Sequence, residues 1–531
     1  MMNMDTIITH SPALIIAVPL LGAFLTPLIS RINDKLRNVF VILTVGLTGF
    51  LVSLLSYDVL INDKIHTYVF GSQDIGSPVV RILFEVDGMN AFMIIIGAIL
   101  VFVAVVYSWA FMKENTGLDK YYTLILLMTS GMFGMMLTGD MFNFFVFLEI
   151  TSISSCALIA FWTHKGKAVE AGFKYIVIST IGALFILFAI AILYGQYNAL
   201  NMAILANSIQ SPMSFLDKTA LVLLIAGLSM KAGIVPMHMW LPDAYSRAPA
   251  SVTLILVGTT QASLYALFRM VFTVYGNSLS LDAEPLRQIG EVDITLNGLL
   301  GVIIVLLAII TIVLGVLMAL IQSDFKRMIA FAAVAEIGYM FLAVGAGVWA
   351  IGTAHGMMAL KGGIFHIIND ALDVGLLFLV AGAIYYATKN TSINKMGGLA
   401  RNMKYTTIFF LIGLLAVSGM PPMNGFASKL LIYESTYLIN PILAIVAILC
   451  SILLLAVFVK AFHSAFLGPK IPRYNDVKEA PKSMLIAMAL IACVIIFFGL
   501  FPDLIVNNII DPAANALSNN SNYISQIIGG L

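Results

Sequence analysis

Residues 223–249 read LLIAGLSMKAGIVPMHMWLPDAYSRAP, and the fold turns on this stretch. An apolar run of membrane length carries Lys231 in its interior, with Pro236 and Pro242 in the same window. Each proline removes a backbone donor, so a helix passing through here must kink or unwind. Broken backbone at bilayer depth is tolerated only where protein or water satisfies the freed groups. A second stretch, LIGLLAVSGMPPMNGFASKLLIYES at 411–435, repeats the device: Pro421 and Pro422 interrupt a membrane-length run that contains Lys429. There the lysine follows the break, whereas Lys231 precedes its own. Two Pro-broken segments in corresponding positions are the sequence mark of a transporter built from inverted repeats.

The composition around these stretches is that of a chain dissolved in lipid. Of 531 residues, 60% are hydrophobic and 10% charged, and mean hydropathy is +1.00; soluble domains are about 25% charged. The formal net charge of +1 gives no reason to expect a nucleic-acid partner. Cys156, Cys450 and Cys493 lie apart inside apolar stretches, without the spacing of a metal or disulfide site, so neither metal nor cofactor is expected. The first apolar run, near 13–29, lacks a basic leader and a small-x-small cleavage site, and reads as a retained transmembrane helix.

Crossing a core of about 30 Å takes about 20 helical residues. Such runs number about fourteen, so the fold class is an all-α polytopic membrane protein. Two windows, 353–387 and 405–439, exceed the need, so each is expected to contain a bend, loop or break. The expected organisation is three leading helices in 1–111, one five-helix repeat in 121–274, an inverted counterpart in 297–467, and a last helix with its tail in 483–531. Helices seven and twelve would be discontinuous.

Loop charge gives the orientation. RINDKLR at 31–37 and HKGKAVEAGFK at 164–174 each net +2, and Lys389, Lys395, Arg401 and Lys404 follow the eleventh span without an acid among them. The opposite loops are acidic: Asp58, Asp63, Asp74, Glu85 and Asp87 stand against Lys64 and Arg81, and four acids in 282–293 against Arg287. Lys/Arg excess marks the cytoplasmic side, so both termini are expected on the outer side of the cell membrane.

A charge at mid-bilayer costs about 2.5–3.5 kcal/mol on insertion scales, so each ionisable residue there needs a reason. Glu149 stands halfway along the fifth span with Ser152 one turn away. Lys231 and Lys429 sit beside the two breaks. His366, Asp370 and Asp373 stand at i, i+4 and i+7 and share one helix face. A weaker set comprises Glu336, Lys361, His355, His238 and Lys174, of which Lys174 fits the cytoplasmic charge belt and His238 a satisfied buried histidine. Such groups suit a relay that carries protons or other cations through the bilayer.

At these residues a family resemblance emerges. TGDMFNFFVFLE (138–149), SMKAGIVPMHMWLPDAYSRAP (229–249), SDFKRMIAFAAVAEIGYM (323–340) and SGMPPMNGFASK (418–429) resemble the antiporter-like subunits of respiratory complex I. The likeness extends to the D subunit of Mrp-type Na⁺/H⁺ antiporters and its counterpart in energy-converting membrane-bound hydrogenases. It implies a fourteen-helix fold with two inverted five-helix repeats, a place among other membrane subunits, and transport of H⁺ with Na⁺ as a further candidate. It also implies roles: Glu149, Lys231 and Lys429 match the family's fifth-, seventh- and twelfth-helix ionisable residues, the Glu–Lys pair setting the lysine's proton affinity. Two positions depart. GTTQASLYAL (258–267) has Gln261 where the family usually has a lysine, and Val374 replaces the eleventh-helix lysine. His366, Asp370 and Asp373 are expected to substitute for these lost carriers.

The expected pathway runs from Glu149 and Lys231 through the His/Asp stripe to Lys429. The chain holds no ligands for a redox centre, and energy would arrive from a neighbouring subunit. The contrasting expectation is a non-conducting scaffold subunit that keeps the fold without a complete pathway. A third, a membrane enzyme binding quinone or another substrate, finds no nucleophile–base pair or metal motif to support it.

Overall fold

The computed structural model describes residues 4–62, 64–70, 82–209, 211–281, 287–289, 292–469 and 471–529. Asp63, Asp74, Arg81, Asp282, Glu284 and Glu291 of the acidic loops lie outside the described residues. Helices α1 (Met4–Ser30) and α2 (Asp34–Leu60) lead in. Antiparallel strands β1 (His66–Phe70) and β2 (Ile82–Val86) precede α3 (Gly88–Phe111), α4 (Leu118–Leu137), α5 (Met141–Ile159) and α6 (Gly166–Tyr197). Short α7 (Met202–Ser208) leads to α8 (Phe215–Ala232), the 3-10 turn Met237–Met239 and α9 (Trp240–Arg247). Next come α10 (Ala250–Phe268), which runs on as a π-helical turn to Val274, α11 (Gly276–Leu281), and the strand pair β3 (Arg287–Ile289) and β4 (Val292–Ile294). Helices α12 (Leu296–Ile321), α13 (Phe325–Trp349) and α14 (Ala354–Thr388) follow. The chain closes through α15 (Lys404–Val417), α16 (Asn424–Ile439), α17 (Pro441–Phe462), α18 (Lys482–Leu500), α19 (Pro502–Ile505), α20 (Asp511–Ser518) and α21 (Asn520–Gly529).

Twelve segments among the described residues are long and apolar enough to cross a membrane, with α8 and α9 counted as one. The two further spans expected from sequence are α4 and the α15–α16 pair. The 20-residue α4 is diluted by Asp119, Lys120 and a Thr-Ser-Gly stretch, and α15 and α16 reach only 14 and 16 residues. The protein is a multi-pass helical membrane protein.

Burial sorts the helices into an inner and an outer set. The most apolar windows of α13 and α14 are 100% buried and that of α10 is 94%, against 33% for α1 and 39% for α6 and α17. Outer helices therefore turn leucine and phenylalanine to lipid, whereas the inner ones can hold charge away from it. One expected interruption is not found. Across 354–388 there is no proline, and α14 runs unbroken for 35 residues. Its glycines allow packing rather than a break, since a Cβ on Gly363 would stand 2.7 Å from the Phe268 ring.

Both proline-marked breaks are present. Helix α8 stops at Gly233, whose φ of +82° is the left-handed conformation that glycine adopts without strain. Pro236 and the 3-10 turn then intervene before α9. Helix α15 ends at Val417, and Gly419 (φ +65°), Pro421 and Pro422 separate it from α16.

Candidate functional site

The last turn of α8 places Lys231 at the carbonyl-rich end of a half-helix, where a cation is favoured. Close packing with α6 brings partners to it. A Cβ on Gly227 would lie 2.7 Å from the Gly182 carbonyl oxygen, so the backbones approach as larger residues would not allow. Ser179 of α6 thereby reaches the amine: Lys231 Nζ donates to Ser179 Oγ at 2.6 Å and to Ser152 Oγ of α5 at 2.7 Å. Glu149, one turn before Ser152, sets Oε1 3.8 Å from the amine, an ion pair with the lysine side chain 6% exposed and the carboxylate 28%.

The second break holds its lysine in the same kind of field. Lys429 follows its break in sequence, yet its amine donates at 2.8 Å to the carbonyl of Val417, the last residue of α15. Both amines thus meet the negative end of a broken half-helix, one from its own helix and one from across the gap. Lys429 Nζ also donates at 2.8 Å to Glu336 Oε1 of α13. The other carboxylate oxygen of Glu336 stands 3.0 Å from His366 Nε2 of α14. All three groups are buried, and Tyr339 lies under the ammonium with its ring centre at 4.6 Å. Glu336, ranked low from sequence, is the junction that joins Lys429 to the histidine of the stripe.

Asp370 and Asp373, the rest of that stripe, make no ion pair among the described residues. Asp370 accepts from Gln261 Nε2 of α10, so the residue standing in for the family's lysine is its partner. Asp370 Oδ1, Asp373 Oδ1, Gln261 Oε1 and Asn424 Oδ1 are buried without a hydrogen-bond partner. Buried polar atoms are rarely left so, and each of these oxygens keeps the capacity to accept a hydrogen bond. Next to Gln261 in the chain, Thr260 forms a hydroxyl pair with Tyr245, Oγ1 and Oη standing 2.7 Å apart.

Three predicted residues lie outside this line. Lys174 pairs with Glu170 at 2.6 Å and with Asp243 at 2.9 Å, as a surface belt residue would. Lys361 pairs with Asp511 of α20 at 2.8 Å. His238 is buried in the 3-10 turn with Nδ1 unpartnered.

Sequence reading missed Arg269, 1% exposed, which pairs with Asp87 at 2.7 Å and donates to Asn90 Oδ1 at 2.6 Å. Its signal was available, as a lone arginine in the apolar run 250–274. Beside it Tyr523 of α21 donates to Glu85 Oε1 at 2.5 Å. Burial, opposed by the Arg269 charge, pushes the Glu85 carboxyl up to about 7. The folded state therefore holds a proton that the unfolded chain releases near pH 4.5. Stability from this group is full below that value and is lost as pH rises to about 7. Thermal unfolding in detergent should show the native chain losing stability between pH 5 and 7.5 relative to Glu85→Gln, the two curves meeting at low pH. A constant offset would remove this assignment.

Membrane-length helices whose buried interior carries amine–carboxylate clusters at two broken helices define an antiporter-like membrane subunit. The chain belongs to the NADH:quinone oxidoreductase/Mrp antiporter transmembrane family, whose match covers residues 138–454. It is 31% identical over 527 residues to NADH-quinone oxidoreductase subunit N of Desulforudis audaxviator, covering 95% of this chain and 98% of that one. With the D subunit of the Na(+)/H(+) antiporter of Alkalihalophilus pseudofirmus it shares 30% identity over 391 residues, 73% of this chain and 74% of the relative. A chain in the structure of the membrane-bound sulfane sulfur reductase, an archaeal respiratory membrane complex, superposes with TM-score 0.83 at 28% identity, covering 97% of this chain and 99% of that one. A chain of the Mrp complex from a Dietzia species has the same fold, with TM-score 0.84 at 23% identity over 99% of this chain and 100% of that one.

Proposed function

We propose that this chain translocates protons, with Na⁺ as a further candidate cargo, as one subunit of a multisubunit complex in the cell membrane. The observation that carries the reading is the pairing of each break lysine with a carboxylate from another helix, Lys231 with Glu149 and Lys429 with Glu336. The relatives point the same way, being named as subunits of an oxidoreductase and of a Na(+)/H(+) antiporter. Residues 121–274 and 297–467 would be the two inverted repeats, and both termini would face outward.

In this reading Glu149 and Lys231 take up the proton. Two unit charges about 4 Å apart at an effective dielectric of 20 interact by on the order of 4 kcal/mol. Protonating or displacing Glu149 therefore changes how strongly Lys231 holds its own proton. Ser152 and Ser179 hold the amine in place for that exchange. Asp370 and Asp373, with water, carry the charge onward, and the Glu336–His366–Lys429 triad passes it out. Lys174, Lys361 and His238 are at most peripheral. A partner subunit supplies the energy by moving charge near Glu149.

A second reading has its own support. Gln261 cannot carry a proton, and Val374 is fully buried and apolar, so a scaffold that lost its pathway is the alternative. Reconstitution of the complex in liposomes separates the two. Glu149→Ala and Lys231→Ala should each abolish ion movement while the complex still assembles. Unchanged transport in both variants would leave the scaffold.

A further inference from the structure

On the face rich in lysine and arginine, α6, α9, α13 and α14 surround a cavity of about 310 Å³. Lys165, Lys167, Arg247 and Lys326 line it, and no aspartate or glutamate among the described residues does. Among the described residues the four cations lack carboxylate partners. Lys326, 6% exposed, donates to the Ala248 carbonyl at 2.5 Å. Lys165 sits 3.8 Å from the Trp162 ring centre and donates to Tyr385 Oη at 3.1 Å. Neither Lys167 nor the half-buried Arg247 guanidinium has a hydrogen bond or ion pair among the described residues. The acids nearby are already engaged. Asp243 is taken by Lys174 and Arg327, and Asp324 caps α13 while accepting from Thr391.

Basic side chains crowded around a small cavity repel one another in their charged forms, and an anion among them offsets that repulsion. The 32-residue α6 adds to the attraction, because it begins at Gly166 with no side chain capping its free amides. Such a mouth would turn away H⁺ or Na⁺, so it is no part of the cation route. From Lys165, α6 continues outward along Val169, Phe173, Val177 and Ile181, all exposed at four-residue spacing. The helix that opens at the cavity thus also carries lipid-facing apolar side chains at bilayer depth, against which an acyl chain packs.

We propose that this cavity binds the phosphate of an anionic phospholipid, with its acyl chain along the exposed side of α6. The test uses the full chain purified with its membrane partners and exchanged into phosphatidylglycerol or phosphatidylcholine. Lipid retained after detergent washing is counted by native mass spectrometry. Phosphatidylglycerol should be retained over phosphatidylcholine, and Arg247→Gln and Lys167→Gln should each weaken retention by about fivefold. Arg247→Lys, which keeps the charge, should retain most of it and so separates lost attraction from misfolding. Equal retention of the two lipids, or no change in either glutamine variant, overturns the site. Displacement of the lipid by millimolar inorganic phosphate keeps an anion site but overturns its assignment to the membrane.

Discussion

Glu336→Leu should destabilise the protein by about 3–5 kcal/mol, the cost of leaving a buried charge without its partner. Glu336 and Lys429 are each 1% exposed and bonded at 2.8 Å, and His366 is 3.0 Å from the other oxygen. Removing the acid strands an ammonium whose remaining contacts are the Val417 carbonyl, the Ser451 hydroxyl and a tyrosine face. Adding Lys429→Met to the same chain should restore most of the stability, because replacing a whole buried pair by apolar groups is often neutral or favourable. Transport should be absent from both. Thermal unfolding of single and double variants gives the answer. A single variant as stable as the parent would mean that the pair is not ionised in the folded protein, and the proposed exit would go with it.

The second large effect is expected in transport and not in folding. Asp370→Asn and Asp373→Asn are near-isosteric, and among the described residues neither aspartate has an ion-pair partner to strand. The new amide oxygen at 370 can still accept from Gln261 Nε2. Folding should therefore survive both substitutions, at a cost no larger than that of one unsatisfied buried polar group, about 1–3 kcal/mol. Transport should fall on the order of 100-fold, the size of contribution expected of a side chain that gives or takes a proton. Proton flux into liposomes, measured with assembly checked on the same samples, makes the comparison. Normal flux in both variants would place the central relay elsewhere and strengthen the scaffold reading.

Much of this was legible in the order of residues. Lipid as solvent followed from composition, and the two breaks from Pro236 and from Pro421–Pro422, because these are consequences of local backbone chemistry. The unbroken α14 was not legible from length alone. A 35-residue window suggested an interruption, but without proline the helix had no local reason to stop.

The candidate site divides along the same line. Position in an apolar run marked Glu149, Lys231, Lys429 and the His366–Asp370–Asp373 face, since the cost of burying charge is a property of each residue in its own segment. Partners were a different matter. Glu336 looked minor until α13 and α16 packed it against Lys429, 93 residues further on, and Gln261 looked like a loss until α10 set it against Asp370, 109 residues away. The sequence by itself determined which groups must be kept from lipid and where the helices must break. Only the tertiary structure decided which charge compensates which, because that depends on how separate helices pack, and no local pattern contains it.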